Sequence, residues 1–204
     1  MRCLSLIWQI GLCLPLASLA QGTFRVGFEQ SSYSVPAGGT VTVNVLIDPV
    51  PASGLFSFGV QLNSDGSQAR VESAAGITVP APLDFNGAFG PALKSVTPGM
   101  AGVKGTVDFS ATPPKYYSGG LLATFTVRDL TAAARTSYLL SLGIYRTLGP
   151  AESVFVNGAG ETLDGEISFG SVTVTVIPEP TGALLLLLLG GALLAGRRKH
   201  NHGR

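Results

Sequence analysis

The sequence predicts an all-β protein, folded as an antiparallel β-sandwich and followed by one C-terminal transmembrane helix. Three observations carry this prediction. Short segments alternate apolar and polar residues, turn-forming residues separate these segments, and the two most apolar stretches stand at the chain ends. With 27 glycines and 13 prolines in 204 residues, turns are frequent enough to join many short strands.

The clearest predicted strand covers residues 40–48, where valines and an isoleucine occupy every second position. Each such strand has one apolar face to bury, so two sheets packed face to face are expected, in a jelly-roll or Ig-like arrangement. A closed barrel is the alternative. The other predicted strands are 56–62, 121–127, 138–144 and 171–176, together with the less regular segments 24–28, 69–73, 106–110 and 153–157.

Residues 1–20 have the three parts of a secretory signal peptide. Arg2 gives a positive start, residues 4–16 form an apolar stretch, and residues 18–20 place small side chains where signal peptidase needs them. The mature chain is therefore predicted to begin at Gln21. An uncleaved anchor is the alternative, but the apolar stretch is shorter than the roughly 20 residues of a spanning helix.

The exported domain, predicted at residues 21–177, contains neither cysteine nor histidine. Cys3 and Cys13 fall in the signal peptide, and His200 and His202 fall in the C-terminal tail. This excludes disulfide bonds, Ser-His-Asp and Cys-His catalysis, and zinc sites built from histidine or cysteine. Paired carboxylates could still form a glycosidase, but the acidic residues stand mostly beside turn residues, as solvated loop charges do. We therefore expect no catalytic residue and no enzyme activity.

The charge of the exported domain also excludes one class of partner. The whole chain has 13 Lys and Arg against 12 Asp and Glu, but five of the basic residues lie in the two terminal segments. Between residues 21 and 177, eight basic residues face eleven acidic ones, a net charge of −3. Nucleic-acid binding needs a basic face that replaces phosphate counterions, so we expect no nucleic-acid partner.

The last 27 residues combine a proline motif, an apolar run and a basic cluster. The prolines end the last strand, because proline cannot donate to a sheet ladder. The apolar run partitions into lipid and spans about 24 Å at about 1.5 Å per residue, enough for a thin, untilted anchor. The basic cluster stays cytoplasmic, which places the domain outside. These elements are Pro178-Glu179-Pro180, a predicted transmembrane helix at 181–196, and Arg197, Arg198 and Lys199.

This order of elements resembles the PEP-CTERM sorting signal of Gram-negative bacteria that make extracellular polysaccharide, over residues 178–204. The resemblance implies an exosortase-type processing enzyme as partner. It also implies a precursor held transiently in the inner membrane and then delivered to the cell surface or the extracellular matrix. A plain single-pass anchor with a chance Pro-Glu-Pro is the alternative.

Four segments of the exported domain resemble the cohesin family in its divergent, stand-alone form. They are the glycine turn into an alternating strand at 35–43, the Gly-aromatic strand at 53–62, the core strand at 120–127 and the closing strand at 170–174. The resemblance implies a cohesin-like sandwich over residues 24–176 and recognition of a dockerin-like protein. Where cohesins usually have Tyr-Asp after the Gly-aromatic strand, this chain has Leu62-Asn63-Ser64-Asp65.

One glycine-rich loop concentrates oxygen donors, as a calcium site would, because Ca²⁺ takes six to eight oxygens on flexible backbone. The loop lacks the spacing of an EF-hand, and an ordinary hairpin loop is the alternative. No other cofactor is expected. The calcium candidates are Asn157, Glu161, Asp164 and Glu166.

Two further features could contact a partner. Tyr116 and Tyr117 follow two prolines, so their rings could stack on a sugar, or they could cap the edge of the sandwich. Residues 74–103 are predicted to be irregular yet carry apolar side chains, which either fold back over the sandwich as a flap or form an exposed partner patch.

These features together predict a non-enzymatic exported protein. Its expected role is structural or adhesive, in an exopolysaccharide or biofilm matrix. The alternative is a cohesin-like binding module for a dockerin-like protein or a glycan. The fold class alone does not decide between the two, since sandwiches carry many functions.

Overall fold

The computed structural model describes residues 23–178, apart from residues 88, 89, 111, 132 and 133. Regular structure in this part consists of thirteen strands and three single 3₁₀ turns. The turns are Ala74–Gly76, Ala81–Leu83 and Asp164–Glu166. The strands are β1 (Phe24–Phe28), β2 (Ser32–Pro36), β3 (Thr40–Asp48), β4 (Leu55–Asn63), β5 (Ala69–Arg70), β6 (Ile77–Thr78), β7 (Leu93–Thr97), β8 (Met100–Thr106), β9 (Leu121–Asp129), β10 (Ser137–Ile144), β11 (Val156–Asn157), β12 (Ile167–Phe169) and β13 (Ser171–Ile177).

The strands form two sheets packed face to face, which confirms the predicted β-sandwich. The first sheet has the order β12-β1-β3-β9-β5, with β6 also paired to β9. The second has the order β2-β13-β10-β4-β8-β7, with β11 also paired to β4. The alternating apolar residues of both sheets meet between them, and Phe58, Phe125 and Phe155 are among the largest fully buried side chains.

The sheets are mixed rather than purely antiparallel, which corrects the prediction. β1 pairs in parallel with β12, and β2 pairs in parallel with β13. The two strands of a parallel pair must be joined by a long connection. Here the first strands lie beside the last, so nearly the whole domain forms the connection between them. One of these pairs lies in each sheet, so the first and last strands of the domain contribute to both layers.

Residues 74–103 are more regular than predicted. They contain β6, two 3₁₀ turns, β7 and most of β8, which lies inside the second sheet between β4 and β7. The predicted strand at 106–110 was wrong, since β8 ends at Thr106. Gly102 and Gly105 interrupt the apolar alternation of β8, which hid it in the sequence. The buried Ile77 and Leu83 pack against the core, as a flap would.

Two other predicted strands were too long. Of residues 69–73 only β5 is a strand, and of residues 153–157 only β11. Val154 and Phe155 are fully buried although they lie outside any strand, and their apolar character produced the prediction.

The two ends of the sandwich are distinguished here by the strands that begin or end at each. β13 ends at Ile177, beside Pro36 and near the start of β10, and Pro178 follows it exposed. β4 begins, and β8 and β10 end, at the opposite end, which we call the distal end. More than ten residue steps, roughly 35 Å at about 3.3 Å per residue, separate the two ends.

No helix among residues 23–178, as far as they are described, is long and apolar enough to cross a membrane. The predicted signal peptide at 1–20, the predicted helix at 181–196, and Glu179, Pro180, Arg197, Arg198 and Lys199 lie outside the described residues.

Candidate functional site

The outer face of the second sheet is partly covered by residues 145–155, which we call the crossing segment. A Cβ built at Gly102 in β8 would overlap the ring of Tyr145, and one built at Gly59 in β4 would overlap Val154. Glycine in a strand often marks such a close approach of another part of the chain. The Ser57 hydroxyl also donates to the Val154 carbonyl at 2.8 Å. The crossing segment therefore lies directly on the sheet.

An ion pair attaches the middle of the crossing segment to β8. Lys104 contacts the Glu152 carboxylate, whose side chain is only 5% exposed. The backbone N–H groups of Thr147 and Leu148 donate to the same carboxylate at 2.6 and 2.8 Å. Burial opposes ionisation of Glu152, but these hydrogen bonds and the Lys104 charge outweigh it and lower its pKa to about 2. Glu152 is thus an ionised anchor at neutral pH.

A second ion pair joins the crossing segment to one of the calcium candidates. Arg146 donates to Asp164 at 3.0 Å, and the N–H group of Phe155 donates to the other oxygen of Asp164 at 2.7 Å. The side chain of Asp164 is 12% exposed. Both oxygens of this carboxylate therefore accept hydrogen bonds from groups of the protein itself.

The other calcium candidates do not converge on Asp164. The Asn157 side chain accepts from the N–H groups of Ala159 and Glu161, at 2.9 and 3.0 Å, and donates to the Glu161 carboxylate at 2.7 Å. Glu166 is exposed. Within the described part of the chain, no group of three or more acidic, cysteine or histidine side chains is placed to hold a metal ion. These contacts shape the loop itself.

The two candidate tyrosines have different surroundings. The Tyr117 hydroxyl donates to the Leu121 carbonyl at 2.8 Å, and burial raises its pKa. Tyr116 is 37% exposed and lies against Gly54 and Gly158, whose missing side chains leave room for its ring. Tyr117 thus supports the fold, and only Tyr116 is free to contact a ligand.

Tyr116 belongs to an aromatic cluster that the sequence analysis missed. The Phe56 ring centre lies 6.4 Å from that of Tyr116 and 6.0 Å from that of Phe109. Phe109 is 47% exposed. Phe109 stands between Asp108 and Ser110, just after β8. An aromatic residue between two polar residues was the sequence feature that could have indicated an exposed ring.

The rest of the second sheet's outer face is open, and the exposed Asp65, in the loop after β4, supplies a charge at its edge. Leu139 in β10 is 57% exposed there. Ser141, Asn63 and Met100 continue the face across β10, β4 and β8. A depression of about 320 Å³ adjoins them, lined by Asn63, Ser64, Asp65, Gln68, Leu139 and Ser141. We call this surface, from Leu139 to Met100, the open strip.

Comparison with known proteins gives matches only among solved structures, since no family model and no curated protein matches the chain. The third cohesin ScaC of Acetivibrio cellulolyticus, solved with the ScaB dockerin, has a TM-score of 0.55 at 17% identity, over 76% of this chain and 99% of that one. The Coh-OlpC-Doc435 complex of Clostridium thermocellum gives 0.54 at 16% identity, over 79% and 99%. The chain has a cohesin-like fold.

The likeness extends to a second cohesin type. A type III cohesin module from the cell-surface anchoring scaffoldin ScaE of Ruminococcus flavefaciens gives a TM-score of 0.51 at 13% identity, over 83% of this chain and 95% of that one. At these identities the comparison shows the fold of the cohesin-like domain and no more.

Proposed function

We propose that the chain is an exported, non-catalytic binding module whose cohesin-like domain holds a protein partner of the dockerin kind. The observation that supports the proposal is the similarity in fold to a cohesin that was solved with a dockerin, a similarity that covers 99% of that cohesin's chain. The absence of cysteine and histidine between residues 21 and 177 also favours binding over catalysis.

The open strip is the surface that we assign to this partner. The crossing segment covers the distal part of the same face, so a partner has access only to the part around Leu139. An exposed leucine surrounded by hydroxyl and amide groups gives an apolar centre with a polar rim, as in many protein interfaces. The depression beside it could receive a side chain of the partner.

The test uses an immobilised type I dockerin and, in parallel, a cell-surface extract of the producing bacterium. The wild-type protein and the variant Leu139→Arg are compared for retention by the dockerin, and for partners captured from the extract and identified by mass spectrometry. We expect specific retention or capture by the wild type and its loss in Leu139→Arg, because a charge would be buried without a partner.

The matched control is Leu148→Arg, which adds the same charge at a leucine that is 84% exposed in the crossing segment. This variant should bind like the wild type. If Leu139→Arg binds as well as the wild type, the open strip is not the contact surface. Failure of the wild type to bind any protein would overturn the proposed function.

We further propose that an exosortase-type enzyme processes the tail at Pro178-Glu179-Pro180 and that the inner membrane holds the precursor at 181–196. The motif, the apolar run and the basic residues, in this order, support that route. A cell-surface or matrix location follows from it, and an adhesive role in an exopolysaccharide matrix stays a prediction.

A further inference from the structure

A cavity of about 400 Å³ opens at the distal end beside the exposed Phe109. Its volume falls within the roughly 300–1,000 Å³ of sites that bind small molecules. Among the described residues, two phenyl rings, two glycines and two polar side chains line it, so this part of the lining combines apolar walls with few directed polar groups. The lining residues are Phe85, Gly87, Gly90, Asp108, Phe109 and Ser110.

Hydrogen bonds hold described residues on two sides of the cavity. On one side, the N–H and hydroxyl groups of Ser110 donate to one oxygen of Asp108 at 2.9 and 2.6 Å. On the other, the N–H group of Thr106 donates to the Phe85 carbonyl at 2.8 Å, and that of Gly87 donates to the Thr106 hydroxyl at 3.2 Å. A site whose walls are already held in place loses little entropy when a ligand binds.

The polar groups favour a ligand rich in hydrogen-bond donors. The hydrogen bonds from Ser110 lower the pKa of Asp108, so its carboxylate is ionised and can only accept. Both of these hydrogen bonds reach the same oxygen, so the second oxygen of Asp108 is available to accept from a ligand. Asp108 is the one charged group among the described lining residues, and its negative charge disfavours anions.

The aromatic groups favour a ligand with weakly positive C–H groups. The face of a phenyl ring is electron-rich and attracts such hydrogens. The Phe109 ring is half exposed, so it can offer a face to a ligand while Phe56 supports it from below. One ligand class presents hydroxyl donors at its rim and C–H groups on its flat face, namely a sugar ring without charge.

We propose that the distal cavity binds an uncharged sugar ring, which stacks on Phe109 and donates hydroxyl hydrogen bonds to Asp108. The site is separate from the open strip, which lies towards the end where Pro178 leaves the domain. Loss of binding at one of these surfaces therefore leaves binding at the other unchanged.

The test is binding of neutral hexasaccharides built from glucose, mannose, galactose or xylose. The full chain is used, in a detergent without a sugar headgroup, and titration calorimetry gives the dissociation constants. We expect at least one neutral hexasaccharide to bind, with Phe109→Ala weakening it about tenfold or more and Phe109→Trp restoring or tightening it. Asp108→Asn should weaken it by a smaller factor, because it keeps the turn but loses the charge.

Leu139→Arg is the matched control, since it alters the other exposed surface and should leave sugar binding unchanged. Because Phe109 is half exposed, its removal should not unfold the domain, and thermal melting checks this. The proposal is overturned if no neutral hexasaccharide binds to the wild type, or if Phe109→Ala binds equally well. It is also overturned if hexagalacturonate or a decaproline peptide, but no neutral sugar, binds in a Phe109-dependent way.

Discussion

Gly59 and Gly102 lie in neighbouring strands of the second sheet, on the face that the crossing segment covers. Their missing side chains allow Tyr145 and Val154 to rest on the backbone. A glycine normally weakens a strand, through its greater loss of entropy on folding and its lack of packing. Here that cost is offset by close packing of the crossing segment.

This packing predicts the effect of adding one methyl group. Gly102→Ala should lower the free energy of unfolding by about 1–3 kcal/mol, since the new Cβ overlaps the Tyr145 ring. Urea unfolding measures it. The control is Gly143→Ala in β10, where the nearest atom to the new Cβ is Asn63 Nδ2, at an ordinary 3.5 Å. Equal stability of both variants would show that Tyr145 moves aside freely.

At the scale of an element, the crossing segment is held by ion pairs at two points. The Lys104–Glu152 pair ties it to β8, and the Arg146–Asp164 pair ties it to the loop after β11. Both pairs are largely shielded from water, and removing one partner of such a pair leaves a charge without compensation. The segment is therefore a fixed part of the domain at neutral pH.

The pKa of Glu152 predicts how stability changes with acid. It lies at about 2 in the folded protein, below the ordinary 4.5, so the folded state favours the ionised form. The stabilisation is complete above about pH 4.5 and is lost as pH falls towards 2. Chemical unfolding at several pH values should show this slope in the wild type and a shallower one in Glu152→Gln. Glu166→Gln, at an exposed glutamate, should keep the wild-type slope; a slope unchanged in Glu152→Gln would contradict the assignment.

At the scale of the whole molecule, the proposed export route makes a prediction about the tail. If an exosortase reads the motif, Glu179→Ala should leave the protein in the inner membrane with its helix attached, because hydropathy and the basic cluster are unchanged. Cell fractionation and intact mass would detect this heavier, retained form. Deletion of residues 197–199 is the comparison, since loss of the basic stop should release unprocessed protein. Normal surface delivery of Glu179→Ala, with cleavage at the wild-type position, would reduce the tail to an ordinary anchor.

Much of the sandwich could be predicted from the sequence, because alternation of apolar residues directly reports one buried face. β1 and β3 were predicted at their observed bounds, and the strands around Phe58, Phe125 and Leu140 within a few residues. The alternation shows neither which strands are neighbours nor their direction, so the parallel pairs were missed. The predictions of a signal peptide and a sorting tail rest on local composition alone.

Only the tertiary structure decided how the surfaces are built. It placed the crossing segment on Gly59 and Gly102, partly buried Tyr117 while leaving Tyr116 exposed, and brought Phe109 to Phe56 from a distant part of the chain. Such contacts depend on which strands lie side by side, and no local pattern records that. The sequence by itself determined the all-β sandwich class and the absence of cysteine and histidine between residues 21 and 177, and it predicts the route of export, since each follows from residue type and order along the chain.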